Sequence, residues 1–168
     1  TGHITFGSFN NIAKVNPEVV ALWCRIMHEV PGSKILLKAA SLGDMATRKR
    51  YIDMFRDRGI AHDRVELQPL SSEPFDHMNM YNRVDIGLDP FPYNGTATTC
   101  EALWMGVPVI TLRGNRHSAR VGSTLLSVTG MQDMIAGSPG EYVKKASTLA
   151  DDIDTVKNYR VSLRKQVA

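Results

Sequence analysis

Apolar positions along the chain switch repeatedly between two periods. Residues Ile4 to Asn10 read ITFGSFN, β-branched and aromatic residues alternating with small ones. This predicts a strand that runs into a polar loop over Asn10–Asn16. Asn16 is placed to cap a helix with Pro17 at its first position. Val19, Val20, Leu22, Trp23, Ile26, Met27 and Val30 then recur at helical spacing. Pro31-Gly32-Ser33 stops that helix. Lys34–Ala40 predicts a buried strand and Met45–Arg58 a charged helix with Tyr51, Ile52, Met54 and Phe55 inward, closed by Gly59. Arg64–Leu70 predicts a strand, Ser72–Arg83 a short helix, Val84–Leu88 a strand, and Asp89–Gly95 a loop of Pro and Gly. Thr98–Met105 predicts a helix ended by Gly106, followed by a strand over Val107–Leu112 and a basic loop over Arg113–Ser118. Ala119–Val128 is expected to be a helix with Val121, Leu125 and Leu126 inward. Two helices, Pro139–Ala150 and Ile153–Val167, complete the chain. No internal repeat or low-complexity segment interrupts it.

Strands alternating with helices predict an α/β fold, a Rossmann-like, mainly parallel sheet with helices on both faces. Ligands of such sheets bind beyond the carboxyl ends of the strands, where strand order reverses. The loops to weigh are therefore 10–16, 38–44, 70–77, 89–101 and 113–120.

Composition narrows the classes. The 168 residues suit one domain with a real core, and 43% hydrophobic with 22% charged residues excludes a chain disordered throughout. A net charge of +3 gives no argument for a nucleic-acid or membrane partner. No apolar run is long enough to span a bilayer, and no signal peptide is apparent. Cys24 and Cys100 form no metal-type pair and are expected to stay reduced, which suits a cytoplasmic location. A start at Thr1 rather than Met fits a single domain, 1–168, excised from a longer protein.

The richest loop is Asp89-Pro-Phe-Pro-Tyr-Asn-Gly-Thr-Ala-Thr-Thr-Cys-Glu101. Gly95 allows a tight turn and close backbone approach. Thr96, Thr98 and Thr99 stand where a helix starts, and a helix start offers unpaired N–H groups and partial positive charge. Two readings stand: a phosphate cradle with Glu101 accepting from sugar hydroxyls, or an ordinary capped helix. Lys14 should emerge on the same sheet edge, either to neutralise a pyrophosphate or as a solvated lysine. His77 either meets a base or sits on a helix surface. Arg113, Arg116, His117 and Arg120 read as a solvated basic face. Asp85 and Asp89 read as structural. No Walker loop, dinucleotide fingerprint, nucleophile elbow or metal-ligand spacing occurs.

Three stretches carry a resemblance: FGSFNNIAKVNPEVVALWCRIMHEVPGSKILLK, then FDHMNMYNRVDIGLDPFPYNGTATTCEALWMGVPVITL, then RHSARVGSTLL. Together they resemble the C-terminal half of the protein O-GlcNAc transferase family, most nearly its SPINDLY-type and bacterial relatives. The resemblance implies the C-terminal lobe of a GT-B glycosyltransferase, inverting and metal-independent, with no cofactor and with UDP-GlcNAc or GDP-fucose as substrate. It implies that Lys14 stabilises the leaving diphosphate, that Asn11 lies near the phosphates and that His77 packs on the base. Asn94, Gly95, Thr96, Ala97, Thr98 and Thr99 would form the phosphate turn, and Glu101 would hold the ribose. The acceptor would be a protein Ser or Thr, engaged by tetratricopeptide repeats and an N-terminal lobe outside this chain.

The loop departs from the animal enzymes, which read N-G-H-T-T-G-M-D: Thr96 replaces the histidine and Ala97 interrupts the threonines. The family lysine just before the base-stacking histidine has no counterpart among Ser72, Glu73 and Pro74. The donor base is left open between uridine and guanosine. Alternatives are an inactive nucleotide-binding or scaffold module, and a GT-B transferase with a small-molecule or lipid-linked acceptor.

Overall fold

A computed structural model describes residues 2–71 and 73–168. Among these residues, six strands form one sheet: β1 Thr5–Ser8, β2 Lys34–Lys38, β3 Val65–Gln68, β4 Ile86–Leu88, β5 Val109–Leu112 and β6 Ile135–Ala136. Their order is β3-β2-β1-β4-β5-β6, and every pairing is parallel. The expected α/β architecture is therefore present, and order reverses between β1 and β4. Central residues such as Phe6, Ile35, Leu37, Ile86 and Ile110 have no exposed surface, as a sheet covered on both faces requires.

Among the described residues, seven α-helices connect and cover the strands: α1 Pro17–Glu29, α2 Met45–Arg56, α3 Pro74–Asn79, α4 Ala97–Trp104, α5 Val121–Val128, α6 Pro139–Asp151 and α7 Ile153–Val167. Asn16 caps α1 through its side chain, which accepts from the Glu18 and Val19 amides, with Pro17 next. Gly59 and Gly106 close α2 and α4 with φ of 79° and 76°, a backbone region that penalises any Cβ. Arg64 satisfies the far end of α1, donating to Met27 O and Val30 O.

Some boundaries move. The loop 10–16 contains a 3₁₀ turn, Ile12–Lys14. α3 begins at Pro74, and the Ser72 expected to open it lies outside the described residues. A 3₁₀ turn over Met80–Arg83 completes the expected short helix. α5 begins at Val121 and buries Leu126, whereas Val121 and Leu125 are only half-buried. α7 is fastened by Arg160, which donates to Tyr81 O, Val84 O and Met105 O and so ties the chain's last helix to the exit of α4. Among the described residues, no helix is long and apolar enough to cross a membrane.

Candidate functional site

The loops after β1 and β4 meet at the switch point. Lys14 closes the 3₁₀ turn after β1, and two contacts hold that turn. The Tyr51 hydroxyl of α2 lies 2.9 Å from both Ile12 O and Val15 O. The Asn16 side-chain amide donates to Phe91 O in the facing loop at 3.2 Å. Lys14 Nζ then donates to Asn94 O at 2.9 Å and stands 4.2 Å from the centre of the Tyr93 ring. Burial lowers the Lys14 pKa, and the Asp89 charge opposes that effect. Asn11 is exposed, and its side chain accepts from the Ala13 amide, so it caps the turn.

The second loop is built around Asn94 and Gly95. Asn94 is buried; its Nδ2 donates to Pro90 O, its Oδ1 accepts from the Gly122 amide, and its amide donates to Ser118 O. It is a scaffold for the loop. Gly95 does not have the left-handed backbone that a glycine-requiring turn would give it. Close approach demands glycine instead: a Cβ there would stand 2.5 Å from Thr98 Oγ1 and 2.7 Å from Asn10 Oδ1. Those two oxygens share a hydrogen bond of 2.9 Å that fixes the start of α4 to the end of β1. Gly95→Ala is therefore expected to break that bond and to cost about 1–3 kcal/mol of stability, read as a lower denaturant midpoint.

α4 starts without a side-chain cap. Thr96 and Ala97 are exposed, Thr98 half-buried and Thr99 buried. The first amides of a helix have no intrahelical acceptor, so the Thr96–Thr99 corner presents N–H donors beside the Lys14 ammonium. That pairing suits an anion with several oxygens.

Beneath the corner lies Asp89, fully buried. Its Oδ1 accepts from the Gly95 amide and its Oδ2 from Thr111 Oγ1, both at 2.6 Å. Burial pushes its pKa up to about 7, against the opposing pull of these two donors and of Lys14. The folded state thus keeps a proton that the unfolded chain, near 3.8, releases. The Asp89 contribution to stability is present at low pH and falls as pH rises between about 4 and 7. Asp89→Asn should flatten this part of the profile, measured by denaturant unfolding across that range.

The remaining candidates gather on the β2 side. His77, on α3, is half-buried; its Nε2 lies 3.0 Å from Glu101 Oε2 and its Nδ1 3.2 Å from Lys38 Nζ. With both nitrogens engaged, His77 has its ring face rather than its edge to offer a ligand. Glu101 is the fifth residue of α4, one turn from the helix start. It also accepts from the Tyr81 hydroxyl at 3.0 Å. Sequence reasoning overlooked Lys38, Tyr81 and Asn10. Lys38 looked like one residue of a buried strand; the ammonium beside His77 comes from β2 rather than from the segment preceding His77. Its pKa is lowered by burial, opposed by Asp76 and Glu101. Arg113, Arg116, His117 and Arg120 are all exposed, as a solvated face would be. Among the described residues, no cluster of three His, Cys, Asp or Glu side chains is arranged to hold a metal ion.

The model of glycosyl transferase family 41 matches residues 1–168. The chain belongs to this family. The SPINDLY protein of Petunia hybrida, described as a probable UDP-N-acetylglucosamine–peptide N-acetylglucosaminyltransferase, is 43% identical over 99% of this chain and 18% of its own length. The corresponding transferase of Caenorhabditis elegans is 28% identical over 95% of this chain and 14% of its own length. A mutant of the Thermobaculum terrenum O-GlcNAc transferase superposes with a TM-score of 0.94 at 37% identity, over 99% of this chain and 32% of that one. The chain therefore spans about a fifth of its SPINDLY relatives. Anabaena HepE, solved with UDP and glucose, shares the fold at a TM-score of 0.70 and 14% identity, over 98% of this chain and 43% of that one.

Proposed function

We propose that this chain is the donor-binding lobe of an inverting, metal-independent glycosyltransferase. It would serve transfer of GlcNAc or fucose from a nucleoside diphosphate sugar to a protein Ser or Thr. The observation that carries this reading is the convergence of Lys14 with the uncapped start of α4 at the sheet's switch point. The diphosphate would take the Thr96–Thr99 amides and the Lys14 ammonium, with Lys14 replacing its Asn94 carbonyl contact by phosphate oxygens. The base would lie on the His77 face and a ribose hydroxyl would donate to Glu101. As the acceptor hydroxyl attacks the anomeric carbon, the bond to the diphosphate breaks, negative charge grows on the leaving oxygen, and the hydroxyl's proton is released to the departing diphosphate or to water. Fixed donors at that oxygen favour this change without reorganising. The relatives, named as peptide N-acetylglucosaminyltransferases, support a peptide acceptor. The acceptor groove and the opposite lobe would come from the rest of a longer protein.

The test is transfer by the longer protein that contains this lobe. It would be incubated with UDP-GlcNAc or GDP-fucose and Ser/Thr peptides, and the products weighed by mass spectrometry. A sugar-mass gain from one donor, lost in Lys14→Ala, is expected. Nucleotide binding with no transfer from either donor would favour the scaffold alternative.

A further inference from the structure

Lys38 closes β2 with its side chain among the site residues, yet the residue is only 1% exposed. Its ammonium therefore meets the protein rather than a ligand. Nζ donates to Ser71 Oγ at 2.9 Å and stands 3.2 Å from His77 Nδ1. An ammonium has donors only, so Nδ1 is the acceptor in that contact. The ring proton then resides on Nε2 and points at Glu101 Oε2. The Tyr81 hydroxyl reaches the same Oε2. Two donors on one oxygen leave Glu101 Oε1 without a protein hydrogen-bond partner among the described residues, on a side chain 32% exposed. The charged or titratable groups around His77 are Lys38 from β2, Asp76 from α3, Glu101 from α4 and Tyr81 from the following turn. The Phe9 ring packs edge-on against His77, 6.0 Å between centroids, and 22% of the His77 side chain stays exposed.

We propose that Lys38 is a positioning residue of the donor site. It fixes His77 with Nδ1 as acceptor and Nε2 as donor, and through His77 it turns one Glu101 oxygen toward ligand hydroxyls. This rests on the donor-lobe reading and adds the residue that sets its nucleoside end. Lys38 acts without touching the nucleotide, so its loss should leave the phosphate end intact.

The 168-residue chain, labelled with ¹⁵N histidine, tests this by nuclear magnetic resonance, with His77 assigned by its disappearance in His77→Gln. At neutral pH, His77 should show Nδ1 unprotonated and Nε2 protonated. In Lys38→Met the cation facing Nδ1 is gone and the Asp76 and Glu101 carboxylates remain. Nδ1 then has no donor facing it, and its ¹⁵N signal should move toward that of an unprotonated ring nitrogen without a hydrogen bond. Lys38→Arg, which keeps a charged donor, should restore the original pattern. Affinity for UDP or GDP should fall about tenfold in Lys38→Met, the loss of one hydrogen-bonded contact. Affinity for inorganic pyrophosphate should stay unchanged.

A proton on Nδ1 of the unsubstituted chain would overturn the proposal, and that result stands even if Lys38→Met fails to fold. Identical His77 signals with and without Lys38 would also overturn it, as would a changed His77 pattern with unchanged nucleotide affinity. If the unsubstituted chain shows the expected His77 pattern but binds neither nucleotide nor pyrophosphate, the donor-lobe reading fails instead.

Discussion

Replacing Lys14 with alanine is expected to weaken binding of a nucleoside diphosphate by about 10- to 100-fold, the loss of a charge-assisted hydrogen bond. Binding of the bare nucleoside should not change. The asymmetry follows from where the ammonium sits. Its protein partners are a backbone carbonyl at 2.9 Å and an aromatic face at 4.2 Å, both weak beside a diphosphate. The Asp89 carboxyl, whose charge acts on Lys14, has both of its oxygens engaged by other donors, the Gly95 amide and Thr111 Oγ1. The lysine is thus held in place and left available to an anion. Lys14→Arg should not restore full affinity, because a planar fork does not occupy the position of a compact ammonium. Calorimetric titration with a nucleoside and its diphosphate, on both variants, checks each part.

Trp23→Ala should remove about 3–5 kcal/mol of stability, a large share of what a domain this size possesses. The melting temperature should drop by roughly 6–20 °C. Trp23 has no exposed surface, so truncation leaves a cavity between α1 and α6. It also takes a donor away: Trp23 Nε1 donates to the Tyr142 hydroxyl at 3.1 Å, and that hydroxyl donates to Asp89 O at 3.0 Å. The core thereby braces the exit of β4, where the site loop begins. Trp23→Phe separates the two effects, since it keeps most of the ring while removing the donor, and should cost about 1 kcal/mol for the hydrogen bond plus a smaller packing loss. Thermal unfolding of the three forms, compared side by side, measures this.

Local chemistry made much of the fold legible. Asn16-Pro17 announced α1, Gly59 and Gly106 ended their helices, and Ile153–Val167 was helical between the expected bounds. β6 was not legible, because two residues provide no alternation to detect. The site divided along the same line. Lys14, the threonine corner and Glu101 stand at strand exits and a helix start, positions that a parallel sheet makes special. Lys38 did not announce itself, since its partners Ser71 and His77 lie 33 and 39 residues away. Asp89 was read as structural, and it is bonded within the loop it supports; its partner Thr111, 22 residues away, was hidden from sequence. Gly95 was expected for a tight turn and close backbone approach; its φ is not left-handed, and the neighbours that demand clearance, Thr98 Oγ1 and Asn10 Oδ1, are set by packing.

The central claim is that a nucleoside diphosphate binds where Lys14 meets the start of α4. A crystal structure of the chain soaked with UDP and, separately, GDP tests it most directly. The expected result is diphosphate oxygens within hydrogen-bond reach of the Thr98 and Thr99 amides and of Lys14 Nζ, with the base against the His77 ring. A nucleotide bound elsewhere, or an unchanged Lys14–Asn94 contact at saturating concentrations of both nucleotides, would contradict it.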